Sequence, residues 1–309
     1  MQITDSQTFK TRDAASYDSL TEQFDHFTER LSSPLAARMV ELAEIKQSDA
    51  VLDIGTGTGV VALQAAKMLG AEGKIHGIDL SEEMLATADA KAERLGLGQR
   101  VEFSQMDAEE LDFDAAKFDV VVSLFALLHF PHPLTALREI HRVMRPGGRL
   151  VVAVGSSPPL LSVSGVTHRL KLLPDLIRRS LGKQLVAPTF LDSLVEQHFP
   201  EVHEKEESYL ASHSHDRTES ISELVQAAGF EVSQTHWQGH QAEMETPEEF
   251  WEIQRTFSSI ARKRLSSAPP EKVESLRQDF LKQCRAVQSH GGNLVYPFAA
   301  FYVVAEKSK

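Results

Sequence analysis

Ten residues constrain this chain more than any others. Between Val51 and Val60 it reads Val-Leu-Asp-Ile-Gly-Thr-Gly-Thr-Gly-Val: an apolar run of strand character, three glycines at alternate positions, then a helix-like run, "VVALQAAKML", that Gly70 stops. Glycines in a strand-to-helix turn take backbone angles closed to other residues and let a ligand approach the main chain. Two nucleotide fingerprints can be tested on the spacing. In G-x-G-x-x-G counted from Gly55, Gly57 fits, but Val60 holds the third glycine position and Gly59 comes one residue early. The phosphate-binding P-loop fails because no Lys-Ser or Lys-Thr follows. A plain turn packing strand on helix, a dinucleotide site and a site for another adenosyl compound all remain open at this point.

The surroundings alternate between strand and helix signals. "KIHGIDL" reads as a second strand, and Ser81 caps a helix, "SEEMLATADAKAERLG", with Glu82 and Glu83 in its electropositive first turn. "RVEFSQMD" and "FDVVVSLFALL" read as the third and fourth strands. Pro133 opens a helix whose apolar positions Leu134, Leu137, Ile140, Val143 and Met144 recur at helical spacing. "RPGG" breaks it before a fifth strand, "RLVVAVG". Such alternation predicts an α/β protein with a parallel sheet covered on both faces, and ligands at the carboxyl ends of its strands. Asp53 sits inside the first apolar strand, where a carboxylate needs partners, and the glycine-turn amides are the nearest candidates.

In order and spacing, "VLDIGTGTG", "GIDLSEEML", "MDAEEL", "FDVVVSLFALLHF" and "ALREIHRVMRPGGRLVV" resemble the successive motifs of class I S-adenosylmethionine-dependent methyltransferases, in the small-molecule and quinone branch. The resemblance covers Ala50 to Val154. It implies a Rossmann-like, doubly wound, mostly parallel seven-stranded sheet. Its last strand would be antiparallel, beside the sixth and at the sheet edge, and helical insertions would be added. It implies S-adenosyl-L-methionine as cofactor and methyl transfer to a small organic acceptor, with O-, N- and C-methylation unresolved. It assigns cofactor contacts to Asp53, Gly55, Thr56, Gly57, Gly59, Asp79, Leu80, Met84, Asp107, Ala108 and Leu124. Asp79 would take the ribose hydroxyls, Asp107 the adenine amino group and Met84 the adenine face, while Asp53 would lie towards the methionine end. Helix entry is the competing role for Asp79, and a surface turn the competing role for Asp107.

The transferred methyl leaves a cationic sulfur, so the protein must align the groups, exclude water and, for a protonated nucleophile, accept a proton. His129 and His132, near the end of the fourth strand, are the candidate bases, and Tyr17 resembles a residue that closes on the donor. Residues 1–48 read as an N-terminal helical cap with an apolar stripe of Tyr17, Leu20, Phe24, Phe27 and Leu31. Residues 49–154 are the cofactor-binding core, and 155–215 an inserted helical lid with a basic run, "RLKLLPDLIRRSLGK". Residues 216–309 return to the core, with a helical insertion at about 244–288. Phe190, Phe199, Trp237, Phe250, Trp251, Phe257 and Phe298 are candidate walls for an apolar acceptor. His213 and His215 read as a polar loop, not a metal site, and no metal is expected.

A net charge of −12 argues against nucleic acid. A single cysteine, Cys284, fits a reducing compartment. The polar N-terminus is no signal peptide, and no apolar run reaches the roughly 20 residues of a bilayer span. The expectation is a cytoplasmic monomer or homodimer, without stable membrane insertion, acting on a small molecule. The competing functions are an NAD-dependent oxidoreductase, which Asp79 fits and Val60 does not, and a non-catalytic cofactor-binding regulator.

Overall fold

Continuous apolar strands need cover on both faces, and the central strands of this sheet have it. The computed structural model describes residues 6–18, 20–155, 178, 182–187, 189–199 and 220–309. Most of the expected lid, with its basic run and with His213 and His215, lies outside them. Strands β1 (Ala50–Ile54), β2 (Lys74–Asp79), β3 (Val101–Gln105), β4 (Phe118–Leu124) and β5 (Met144–Gly155) form a parallel sheet in the order β3-β2-β1-β4-β5. Alternate residues serve opposite cores. Val51, Ile75, Val122 and Val151 pack with the N-terminal helices. Leu52, Ile54, Val121 and Val152 pack with the helix after β4. Strand order reverses between β1 and β4, which opens a crevice at the carboxyl ends where the glycine turn sits.

The crossover helices are α4 (Val60–Ala66), α5 (Glu82–Arg94) and α6 (Pro133–Val143). Ser81 caps α5, its hydroxyl accepting from the Met84 amide. β5 begins directly after α6, at Met144, so the Arg145–Gly148 segment belongs to the strand; a register shift against Phe118 and Val120 absorbs it.

The last strand departs from expectation. β8 (Asn293–Lys307) lies inside the sheet, antiparallel between β5 and β7 (Phe230–Met244), and β7 takes the edge. The burial patterns give the reason. β8 is an almost unbroken apolar run, with Tyr302 to Ala305 fully buried, whereas β7 alternates between exposed and covered residues. An eighth, three-residue strand, β6 (Gln184–Val186), pairs in parallel with Asn293–Val295. β7 and β8 are each 15 residues long, and beyond β5 they continue as an arm whose tip β6 joins. Their connection holds α9 (Pro247–Phe257), α10 (Ser259–Ser266) and α11 (Pro270–Ser289), which pack with α7 (Thr189–His198). α8 (Ile221–Ala227) precedes β7 and carries a capping box between Ser220 and Glu223.

At the N-terminus the apolar stripe is not one helix. α1 (Ser6–Asp18), α2 (Thr21–Phe27), a π-turn (Thr28–Ser32) and α3 (Ser33–Ala43) succeed one another. α1 buries Phe9, Lys10, Asp13 and Ser16, a mostly polar face. No described helix is long and apolar enough to cross a membrane.

Candidate functional site

The glycine turn is built from the strand end outward. Gly55, Gly57 and Gly59 all have positive φ (67°, 53° and 83°). A Cβ on Gly55 would fall 2.2 Å from Ala126 Cβ, so the turn lies against the segment after β4. Asp53, 1% exposed, holds the turn from behind: Oδ2 accepts from the Thr56 hydroxyl (2.7 Å) and the Ala62 amide (3.1 Å). Its partners are thus a hydroxyl and the first turn of α4, not the glycine amides. Burial pushes its carboxyl up to about 7. Asp79, at the end of β2, accepts from the Gly57 amide (2.9 Å) and the Ser81 amide (3.1 Å), and burial raises its pKa.

These groups border a cavity of about 890 Å³. Of the eleven predicted cofactor contacts, Gly55, Thr56, Gly57, Asp79, Leu80, Met84, Asp107, Ala108 and Leu124 line it. Asp53 and Gly59 lie behind it; Gly59 is the residue before α4 and packs against Ala88 and Leu63. Asp107 does not wait for a ligand unpaired. Lys10 of α1 reaches both Asp107 (2.7 Å) and Glu109 (2.6 Å), and Asp107 Oδ1 accepts from the Glu109 amide. Burial works against the Lys10 charge, but the two carboxylates outweigh it and hold the ammonium pKa above its ordinary value.

The far end of the cavity is aromatic. Phe257 of α9 is a hub, with ring centroids 5.4 Å from Phe24, 5.5 Å from Phe298 and 6.1 Å from Tyr296. Phe125 meets Phe298 edge-on at 5.5 Å, and its own backbone is left-handed (φ 67°), uncommon for a residue other than glycine. Trp237 lies over Gly239, where a Cβ would come within 2.6 Å of the indole. Of the predicted aromatic walls, Trp237, Phe257 and Phe298 line the cavity. Phe190, Phe199, Phe250 and Trp251 instead pack among the helices α7, α9 and α11, where they extend the core that the N-terminal helices share with the sheet.

His129 closes a one-turn 3-10 helix after β4 and faces α1. Its Nδ1 is 3.1 Å from Asp13 Oδ2, and its Nε2 is 3.5 Å from the Tyr17 hydroxyl. Burial pushes the Tyr17 phenol up to about 12, against the pull of Arg262, whose guanidinium carbon is 3.6 Å from the Tyr17 ring centroid. His132 stands elsewhere: it precedes α6, its amide donates to Glu109, and it does not line the cavity.

Lys10, Asp13, Thr28, Thr58, Arg262 and Tyr296 were missed by sequence reasoning, whereas Phe24 belongs to the apolar stripe of the cap. Only Thr58, inside the glycine turn, carried a local signal. The buried hydroxyls of Thr28 and Thr58 line the cavity without a hydrogen-bond partner, which marks a place for a polar ligand. No group of three or more metal-ligating side chains occurs among the described residues.

Comparison with known proteins bears on this geometry. Residues 51–148 match a family described as "Methyltransferase domain". The ubiquinone/menaquinone biosynthesis C-methyltransferase UbiE of Ectopseudomonas mendocina (strain ymp) is 34% identical over 163 residues, 52% of this chain and 62% of that protein. Over residues 51–148 the likeness is to the S-adenosylmethionine-dependent methyltransferases. The UbiE of Pseudomonas fluorescens (strain Pf0-1) is 35% identical over 145 residues, 47% of this chain and 56% of that protein. The chain thus spans about three-fifths of the length of these curated relatives. Among solved structures, a putative methyltransferase from Bacillus halodurans C-125 superposes with a TM-score of 0.51 at 22% identity, over 89% of this chain and 99% of that one. The YcgJ protein from Bacillus subtilis gives 0.52 at 21%, over 89% and 98%. These two likenesses establish the methyltransferase fold and nothing finer.

Proposed function

We propose that the protein transfers a methyl group from S-adenosyl-L-methionine to a small, neutral organic acceptor. One observation carries this reading: a single continuous cavity joins the glycine turn, Asp79 and the two unpartnered threonine hydroxyls to an aromatic chamber. The residues fit the adenosyl cofactor. Asp79, already positioned by two amides, has acceptor capacity left for ribose hydroxyls. Leu80, Met84 and Ala108 offer apolar contact for the adenine, with Asp107 beside them sharing its carboxylate with Lys10. Gly55 and Gly57 leave the main chain open to the methionine portion, while Asp53 and Gly59 act one step back, on the shape of the turn. When bound, the cofactor supplies an electrophilic methyl carbon on a sulfonium.

His129 and Tyr17 stand at the boundary between this end and the aromatic chamber, as the polar groups nearest an acceptor. The chamber's apolar walls exclude water, which favours methyl transfer over hydrolysis. The N-terminal helices are the cap, and the segment from α9 to α11 forms the acceptor wall. The acidic surface and lone cysteine support a cytoplasmic monomer or homodimer that does not bind nucleic acid.

Calorimetric titration of the purified chain with S-adenosylmethionine, S-adenosylhomocysteine and NAD tests the reading. The adenosyl pair binds and NAD does not; binding of NAD alone overturns it.

A further inference from the structure

Four side chains from three separate elements converge where the cofactor end meets the acceptor chamber. His129 Nδ1 faces Asp13 Oδ2 at 3.1 Å, in hydrogen-bond reach. A carboxylate only accepts, so the proton of this bond resides on Nδ1, and in the neutral imidazole Nε2 then presents its lone pair. Nε2 meets the Tyr17 hydroxyl at 3.5 Å, the long limit of a hydrogen bond. Tyr17, held protonated by burial, is there a donor and not a base. A contact that loose yields readily to a better-placed hydroxyl.

Asp13 is in turn held from α10. Arg262, 1% exposed at its side chain, approaches Asp13 Oδ1 at 3.9 Å, donates through Nε to Ser16 Oγ (2.8 Å) and through Nη1 to the Thr256 carbonyl (2.9 Å), and stacks on Tyr17. It supplies a counter-charge to the carboxylate and anchors the α1 residues that face His129.

The chamber discriminates by charge. Among the described residues lining the cavity, Lys10 is the one lysine or arginine, and Asp107 and Glu109 already engage it. Among the described residues an anionic acceptor would find no further cation there. Of the described lining carboxylates, Asp13 is engaged by His129 and Asp79 is held at the glycine turn, so none stands beside Phe257 and Phe298 for a cationic amine. Among the described lining residues the chamber offers flat apolar surface and two imidazoles, His129 and, beside Phe298, His240, and it is His129 that a carboxylate orients.

We propose that the acceptor is a neutral hydroxyarene or enol, and that His129, positioned by Asp13 and Arg262, takes its hydroxyl proton. This rests on the methyl-transfer reading above and specifies its substrate class. The O–H bond breaks with its proton passing to Nε2. The oxygen's electron pair forms the bond to the methyl carbon, and the electrons of the carbon–sulfur bond leave with sulfur as a neutral thioether. The resulting imidazolium is paired with Asp13 until it returns its proton to water. Asp13 and Arg262 are positioning residues. The groups of variable charge around His129 are Asp13 and Tyr17 of α1 and Asp79 of β2, with Arg262 of α10 behind them.

Two measurements test this on the full chain. In ¹⁵N-histidine spectra of the protein without cofactor, His129 is expected as the Nδ1–H tautomer, and Asp13→Asn is expected to shift it towards Nε2–H. A wild-type Nε2–H tautomer overturns the proposal whatever the activity. The second measurement follows methylation of a phenol series whose acidities span the assay pH. His129→Gln is expected to lose about 10²-fold or more in kcat/KM on phenols that remain protonated, the scale of general base catalysis. On nitrophenols already ionised, which the chamber binds less well for want of a cation, the ratio of wild-type to variant kcat should approach one, with S-adenosylhomocysteine affinity unchanged throughout. Asp13→Asn should follow the same pattern at smaller amplitude, and Arg262→Lys should restore most of what Arg262→Met loses. A uniform loss across the series, or methylation confined to amines, overturns the proposal. Failure of the wild type to bind the cofactor at all would instead remove the methyl-transfer reading, and the tautomer result would stand apart from it.

Discussion

Replacing Asp79 by alanine separates a ligand contact from a loop contact. In the free protein the carboxylate accepts from the Gly57 and Ser81 amides at 2.9 and 3.1 Å, and its burial disfavours the charge. Loss of two charge-assisted bonds and relief of a buried charge oppose each other, and both amides face a cavity that water can enter. Folding stability should therefore change by no more than about 1 kcal/mol, the scale of one net hydrogen bond. The bound state has no such offset. Hydrogen bonds from ribose hydroxyls to a charged acceptor contribute about 1.5–3 kcal/mol, so S-adenosylhomocysteine affinity should fall about 10- to 150-fold, at about 1.4 kcal/mol per tenfold. Calorimetry on wild type and Asp79→Ala, each with the natural ligand and with its 2′,3′-dideoxy analogue, closes a double-mutant cycle. Wild type should lose affinity when the hydroxyls are removed, and the variant should lose almost none. If both proteins lose the same amount, Asp79 does not hold the ribose. If neither variant nor analogue weakens binding, the cofactor lies elsewhere.

Other perturbations probe the frame of the site. Gly55→Ala combines a left-handed backbone with a Cβ 2.2 Å from that of Ala126, and should cost about 2–4 kcal/mol in urea unfolding; a loss below 1 kcal/mol would mean the turn is free to move. Asp53, with its carboxyl raised from 3.8 to about 7, keeps a proton in the folded state that the unfolded chain has lost. Its contribution to stability therefore declines as pH rises from about 4 to about 7 and is flat above that. The difference in unfolding free energy between wild type and Asp53→Asn should change by about 3 kcal/mol between pH 5 and pH 8; parallel curves would refute the buried, protonated carboxyl. Gly239→Ala puts a Cβ within 2.6 Å of the Trp237 indole and must displace it. Acceptor KM should rise several-fold while S-adenosylhomocysteine affinity, measured calorimetrically, stays constant; a change in cofactor affinity would place Trp237 at the other end of the cavity.

Much of the glycine-turn end of the cavity was legible because its signals are local. Asp79 is the last residue of β2, Ser81 caps α5 two residues later, and the glycines follow β1. Each of these positions is set by strand and helix period and by turn chemistry, which act over a few residues. The position of β8 was misread for a related reason. Its apolar run announces burial on both faces, but not which strand flanks it. The aromatic walls were only half separable, since Phe250 and Phe257 share one helix and the same residue type, yet one is buried in the core and the other lines the cavity.

The sequence by itself determined that residues 50–154 build a parallel sheet with a glycine turn and carboxylates at its carboxyl edge, because periodic burial and turn preference are written in neighbouring residues. Only the tertiary structure decided the cluster around His129. Asp13 meets His129 across 116 positions and Arg262 meets Ser16 across 246, through α1, whose buried face is mostly polar. A polar contact made over such separations leaves no period in the chain to read; it exists only once the sheet, the arm and the N-terminal helices have brought their ends together.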